Sequence, residues 1–317
     1  MNEQALYRKY ADLLAGHIPY KVQKLPVDGG FTCPNRDGTR GRGGCLYCVN
    51  RSFHPSYGKP GLTITEQLER GKAFFEGQYK EMKYLAYFQS FTGTYAPLEE
   101  LRQKYEEALA VSDVVGLVIS TRPDCLPDEV LQYLQQLSKR VFVMLEVGVE
   151  SCDDAVLSAM NRQHTFAETT DAISRAAALG LPVCAHVILG LSHFGTYSAS
   201  DEAIHLSKLP ISSVKIHQLQ ILRGTKLAHV YEECQMDVKF LSTKCQMPFR
   251  GLTLSEYLDE LGVFVSHLRP DIAIERLVSQ SPSEMLISPR WGVKPDAFQL
   301  LFEKHLTEKG LLQGKFY

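Results

Sequence analysis

The chain has 317 residues, 44% of them hydrophobic and 22% charged, enough to bury a full core in one barrel-sized domain with a small extension. No apolar run approaches the ~20 residues of a membrane span, and the opening MNEQALYRKYADLL lacks the apolar stretch of a signal peptide, so a cytoplasmic protein with reduced thiols is expected. The formal net charge is −2, but nine Lys and Arg against four acids put +5 on the first sixty residues and leave −7 on the rest; such a segment either attracts an anionic partner, nucleic acid above all, or is a solvated positive face.

Residues 5–15 place Leu6, Tyr10, Leu13 and Leu14 at helical spacing, and a strand is predicted near 20–27. The stretch that follows, FTCPNRDGTRGRGGCLYCVNRSFH over 31–54, carries Cys33, Cys45 and Cys48 at C-x11-C-x2-C. Its glycines let the backbone turn and approach a bulky ligand closely, and Tyr47 puts an aromatic ring beside whatever the thiols hold. Two inorganic centres suit three thiolates on one loop. One is a four-iron cluster with an open iron; the other is a structural zinc completed by a residue such as His54. The other cysteines, Cys125, Cys152, Cys184, Cys234 and Cys245, are scattered and read as small buried hydrophobes.

A helix is predicted over 65–80 with Thr65 as its cap, then a β-prone run at 83–91 and a helix at 97–110 starting on Pro97. Strand 114–124, helix 127–139 and strand 141–151 follow. Two helices are expected within 153–179, then strand 181–191, helix 199–208 and strand 213–222. Strands such as VVGLVIS and VCAHVILGL are near-continuous apolar runs, as expected when both faces are covered. Right-handed crossovers make this an α/β fold with a parallel sheet, either a barrel of six β/α units or a doubly wound sheet. From about 225 the pattern changes to helices near 226–234 and 253–268, a strand at 272–278 and a last helix, so 225–317 is expected to pack as an α/β extension on a barrel formed by 1–224.

Active sites of parallel α/β folds lie at the carboxyl ends of the strands. Polar residues stand there in order: Thr92, Gly93 and Thr94 after the second strand; Ser120, Thr121 and Arg122 after the third; Glu146 and Glu150, four apart and so on one strand face, on the fourth. Arg162 and His164 follow, His164 reading as a helix cap. His186 lies on the fifth strand. Lys215 and His217 on the sixth point either inward or outward.

The cysteine spacing with an aromatic residue before the last Cys resembles the radical S-adenosylmethionine (SAM) superfamily. The long first gap and the string FTCPNRDGT…GGCLYC are similar to the YhcC/YtqA-type family and to the Elongator catalytic-subunit branch. The resemblance implies a partial (β/α)6 barrel in which Cys33, Cys45 and Cys48 hold a [4Fe–4S] cluster and SAM chelates the fourth iron. It implies SAM contacts at Tyr47, at Thr92, Gly93 and Thr94 for the amino group, at Ser120 and Glu150 for the ribose, at Arg162 for the carboxylate, and at Val187, Ile188, Gln218 and Leu219 around adenine. The chain departs from the superfamily in having TGTY without a Glu after the second strand, and GLSHFGTYS where GLPGET is usual. His186 stands where the coproporphyrinogen-oxidising branch has an Asp. Arg276, Trp291 and Lys294 are substrate-side candidates, Trp291 either stacking on a base or packing in the core.

The implied activity is reductive cleavage of SAM, with tRNA as the implied substrate at a C5 side chain of wobble uridine, such as carboxymethylaminomethyl to aminomethyl, and with an electron donor such as flavodoxin or ferredoxin. The competing readings are a radical SAM enzyme for a small metabolite such as a tetrapyrrole, and a zinc-stabilised binding protein.

Overall fold

The computed structural model describes residues 5–49, 57, 61–75, 81–192, 195–237 and 251–317. Arg51, His54, Lys59, Cys245, the side chain of Cys234, the end of the helix expected over 65–80, and residues 193–194 of the loop after Gly190 lie outside the described residues.

Seven strands form one parallel sheet. They are β1 (Val22–Val27), β2 (Lys83–Phe88), β3 (Val114–Thr121), β4 (Phe142–Glu150), β5 (Val183–Leu189), β6 (Ser213–Gln218) and β8 (Ala273–Arg276), neighbours in that order. Strand order therefore follows chain order, as a barrel arc requires; a doubly wound sheet would reverse direction partway. Between the strands run α1 (Tyr10–Ala15), α2 (Pro34–Asp37), α3 (Ile64–Phe75), α4 (Leu98–Ala110), α5 (Asp128–Ser138), α6 (Asp154–Ala159), α7 (Phe166–Ala178), α8 (Ala199–Ser207), α9 (Lys226–Asp237) and α10 (Leu254–His267); α11 (Pro295–Lys309) closes the chain.

Six strands were expected and the seventh comes from the C-terminal block: β8 continues the sheet beside β6, Ser213 facing Ala273. The run 213–222 splits. β6 stops at Gln218, and β7 (Ile221–Leu222) turns aside to pair antiparallel with β9 (Leu286–Ser288), a strand that three residues of sequence do not announce. Two further boundaries move for local reasons. The first helix starts at Tyr10 because Leu6 to Lys9 run alongside β8 and the terminal turn: Ile274 N donates to Arg8 O at 2.8 Å and Gln313 N to Leu6 O at 2.9 Å, which covers an open sheet edge. The cap of α3 is Thr63 rather than Thr65. Its hydroxyl accepts from Glu66 N at 3.1 Å while the Glu66 carboxylate accepts from Thr63 N at 2.8 Å, a reciprocal box that fixes the first turn.

The convex side of the sheet holds the main core. Leu117, Ile119, Val143, Leu145, Val147, Val183, Ala185, Val187, Val214 and Ile216 alternate onto it and meet the helices. Trp291 belongs here: its Nε1 donates to Leu252 O at 2.9 Å and its ring lies 5.0 Å from Tyr257 and 6.1 Å from Phe298, stacked on the latter. Fully burying side chains of this size contributes about 1.5–3 kcal/mol each. The concave side is plugged at the amino end, where Leu13 and Ile18 pack on Leu85, Val118, Met144, Cys184 and Ala273. Beyond that plug the concave residues turn polar, and the functional site begins.

Candidate active site

The cysteine loop leaves β1 and is tied down at three places. Cys33 caps α2, its carbonyl accepting from Arg36 N at 2.8 Å. Leu46 N donates to Met160 O at 3.1 Å, and Leu227 N to Leu46 O at 2.9 Å. Asn161 Nδ2 donates to Gly44 O at 2.8 Å. Gly44 has φ +73°, and a Cβ there would stand 3.0 Å from the Arg36 guanidinium, which passes over the glycine to reach Cys48 O at 3.1 Å.

The thiols receive directed donors. Arg162 Nη1 lies 3.5 Å and Asn35 Nδ2 3.6 Å from Cys45 Sγ, and Arg36 feels the charge of all three sulfurs. Burial, then the neighbouring Cys45, pushes the Cys48 thiol up, so metal binding there must release a proton. Hydrogen bonds to cluster sulfurs are how a protein tunes such a centre. Among the described residues the side chains whose ligand atoms all lie within 4.8 Å of one another are Glu146, Cys184 and Glu275, deeper in the barrel. Cys125, Cys152 and Cys184 are buried; burial pushes the Cys125 thiol up to about 12.

The strand ends bring most of the sequence-derived residues together. Tyr47, Ile188 and Leu219 share one apolar cluster beside the cysteine loop with Val156, Met160 and Leu227, and the buried Tyr47 hydroxyl has no partner. Thr92 is buried with its hydroxyl unpartnered. Gly93 sits where a Cβ would meet Ser120 O at 2.9 Å, but its own carbonyl already accepts from Tyr105 OH at 2.6 Å. The Thr94 hydroxyl is committed to Thr121 at 2.5 Å. Val187 turns away into the layer between sheet and helices. Gln218 clamps Ser279, donating to its carbonyl and accepting from its amide, both at 2.8 Å; neither side chain lines the mouth.

Glu150 ends β4 with φ +66°, after a register slip that sets Gly148 opposite His186 and Glu150 opposite Val187. The slip carries its carboxylate to His186 Nδ1 at 2.7 Å and to Arg162 Nη2 at 3.4 Å. Burial opposes the charge of Glu150, but His186 and Arg162 outweigh it and hold the carboxyl below its usual range. Arg162 also donates to Gly148 O at 2.6 Å and to His164 Nε2 at 3.1 Å. His164 is therefore a prop for Arg162, and the cap of α7 is Thr165. Burial, then Arg162 and Arg122, push His164 down to about 2, so it accepts as a neutral ring.

Below Glu150 lies a network the sequence left undecided. Lys215 points inward, Nζ at 2.8 Å from both Tyr87 OH and Glu146 Oε2 and 3.3 Å from Glu275 Oε1. Ser120 donates to Glu146 at 3.0 Å, Tyr87 OH donates to it at 2.6 Å, and Lys24 pairs with Glu275 at 2.8 Å. His217 also points inward, its ring 4.2 Å from that of His186; burial, then the charge of Arg276, keeps it neutral. Lys24 and Glu275 apart, these side chains, with Phe91, Arg122, Arg162 and Arg276, line a cavity of about 130 Å³ at the barrel mouth. A larger cavity, about 1050 Å³, opens outside the sheet between the loop after β2 and α7; it holds none of this network, so size does not mark the chemistry here. Tyr87, Lys24 and Glu275 were not legible as site residues, because each sits inside a strand where sequence shows only a polar residue in an apolar run.

Residues 35–195 match the radical SAM superfamily and 211–308 the radical SAM C-terminal domain. The chain belongs to the radical SAM superfamily. Within it the radical SAM chain is 33% identical over 316 residues to the uncharacterized protein YtqA of Bacillus subtilis, covering 100% of this chain and 94% of that one. It is 31% identical over 312 residues to protein YhcC of Escherichia coli, covering 98% and 96%. It therefore belongs to the YhcC/YtqA-type family, with a more distant relation to Elongator complex protein 3, 28% identical over 122 residues of the Danio rerio protein. The solved chain of archaeal Methanocaldococcus infernus Elp3, with an N-terminal deletion, superposes with TM-score 0.62 at 16% identity over 93% of this chain, which spans 64% of that one; the likeness is of fold. Radical SAM proteins bind a [4Fe–4S] cluster and SAM. The three loop cysteines, with Arg162 and Asn35 directed at Cys45 Sγ, and the buried, unpartnered hydroxyls of Tyr47 and Thr92 fit that pair of cofactors. Among the described residues no helix is long and apolar enough to cross a membrane.

Proposed function

We propose that this radical SAM enzyme modifies tRNA in the cytoplasm at the C5 side chain of a wobble uridine, taking its electron from a donor such as flavodoxin or ferredoxin. The observation that carries the substrate class is the charge at the loop: Arg42, from the segment that holds the +5 excess, and Lys226, from the start of α9, stand exposed beside the cysteines, where an RNA backbone would be attracted. The relation to the Elongator branch supports the same reading.

In this reading Cys33, Cys45 and Cys48 would hold the cluster, which with SAM bound would supply hydrogen-atom abstraction from the substrate. The protein positions and shields. Arg162 steadies Cys45 and Glu150 at once. Glu150 offers its carboxylate to ribose hydroxyls, Thr92 and Tyr47 offer free hydroxyls, and Ile188 and Leu219 give adenine an apolar floor.

Two results are expected. Gly148→Ala would place a Cβ 2.7 Å from Glu150 Oε1 and 2.8 Å from Arg162 Nη2, with the nearest backbone atom at 3.6 Å. The pair must move while the strand does not. SAM affinity, read by equilibrium binding to the reconstituted protein, should fall about 10–100-fold, the cost of disturbing such supporting contacts, with iron content kept. Unchanged affinity would remove Glu150 and Arg162 from the SAM site. Second, tRNA nucleosides from cells with and without the gene should differ at a C5-substituted uridine by mass spectrometry, and the purified enzyme with reductant and SAM should restore the difference. Identical profiles, with SAM cleavage stimulated instead by a metabolite, would favour the small-molecule reading.

A further inference from the structure

Among the described residues, the lysines and arginines that line the mouth cavity or pair with its carboxylates have an anionic partner, Arg276 excepted. Lys215 has Glu146 and Glu275, Lys24 has Glu275, Arg162 has Glu150, and Arg122 forks onto Asp124 at 2.8 and 3.0 Å. Arg276, the last residue of β8, stands opposite Lys215 in register and lines the same cavity beside His217. Its Nε and Nη2 are shielded from solvent and have no hydrogen-bond partner. Setting aside the balanced Arg122–Asp124 pair, four cations (Lys24, Lys215, Arg162, Arg276) face three carboxylates (Glu146, Glu150, Glu275), leaving one positive charge unmatched. Arg276 is half-buried, and guanidinium donors held away from water and idle are costly unless something arrives to accept from them.

We infer that Arg276 is the binding residue for a carboxylate of the substrate, received at the barrel mouth with His217 alongside. The planar fork of an arginine matches two oxygens of a carboxylate or a phosphate. The site is a small recess behind Glu150 and His186, which suits a carboxylate at the tip of a short side chain; an RNA backbone phosphate carries its ribose on both sides and stays at the rim. His217, neutral, adds a ring nitrogen without competing for the anion. The nature of the carrier rests on the tRNA reading above, in which the carboxymethylamino arm of a wobble uridine bears such a group. The carboxylate assignment itself does not rest on it.

Two measurements test this on the full-length protein with its cluster reconstituted. Phenylglyoxal labelling of Arg276, followed by peptide mass spectrometry, should slow severalfold in N-methylglycine and not in methylamine at equal ionic strength. Protection by inorganic phosphate but not by N-methylglycine would overturn the carboxylate in favour of a phosphate, and protection by neither would overturn the site. In the second, wild-type enzyme should bind an anticodon stem–loop bearing carboxymethylaminomethyluridine about tenfold more tightly than one bearing aminomethyluridine. Arg276→Gln should erase that ratio and Arg276→Lys restore part of it, with iron content kept. A ratio that survives Arg276→Gln would overturn the assignment. If wild-type enzyme binds no stem–loop, the tRNA reading falls and the labelling result still decides the arginine.

Discussion

Cys48→Ala is expected to abolish iron retention and SAM cleavage together. Cys45 and Cys48 close one turn, Cys48 N donating to Cys45 O at 3.1 Å, and Arg36 braces it from the far side. Of the other described cysteines, Cys152 and Cys184 are buried, and Cys125, near enough to Cys33 to feel its charge, is buried with its thiol pushed up. Burial holds the Cys48 thiol protonated near neutral pH, and only the charge of bound iron recovers the cost of ionising it. Two cysteines cannot hold a cluster that normally takes three or four. Iron per chain and visible absorbance after anaerobic reconstitution give the first readout, 5′-deoxyadenosine formation the second; both should drop to background. Cys152→Ala, at a thiol whose neighbour is Glu202, serves as the control and should keep its iron. SAM cleavage that persists in Cys48→Ala would refute the ligand assignment.

The second large effect is on stability. Lys215→Met should destabilise the fold by about 3–5 kcal/mol, the cost of removing one partner from a buried ion pair. Glu146 and Glu275 would remain in the interior with Lys24 alone between them. In the wild type, burial disfavours both carboxylates, but Lys215 and Lys24 outweigh it and lower them. Their contribution is therefore complete above the ordinary carboxylate range of about 4.3 and is lost only as pH falls through the lowered values. Lys215 itself is raised: burial opposes its charge, and Glu146 and Glu275 outweigh the opposition. Its share holds up to the ordinary lysine value of about 10.4 and fades as pH rises through the raised one. Wild-type stability from this cluster should be flat between about pH 5 and 10. In Lys215→Met the carboxylates shift the other way, upward, so the loss should be largest at neutral pH and smaller near pH 4. Adding Glu146→Gln should recover a large part of it. Urea unfolding across that range measures each curve; a Lys215→Met curve parallel to wild type would mean the pair is not electrostatically coupled.

The chain pattern and the site differ in how much of each could be read in advance. Alternating apolar runs placed six parallel strands within a few residues, because burial on both faces leaves a composition that survives in one dimension. The cysteines were legible for a similar reason: ligands contributed by one loop keep their spacing in the sequence. Thr92, Ser120, Glu150 and Arg162 were legible as positions because strand ends can be counted. Their partners were not. Nothing in the sequence says that Arg162 would lean on Cys45, or that the prop behind it is His164.

The amino-acid sequence by itself therefore determined the family, the three-cysteine loop and the parallel α/β order, since these depend on local spacing and on which segments must be buried. Only the tertiary structure decided that Lys24, Lys215, Glu146 and Glu275 form one network, that Val187 and Gln218 turn away from the mouth, and that Arg276 arrives there unpaired. Each of those depends on the curvature of the sheet and on register slips such as the one before Glu150. These set which side chains from distant strands meet, and they leave no trace in the order of residues along the chain.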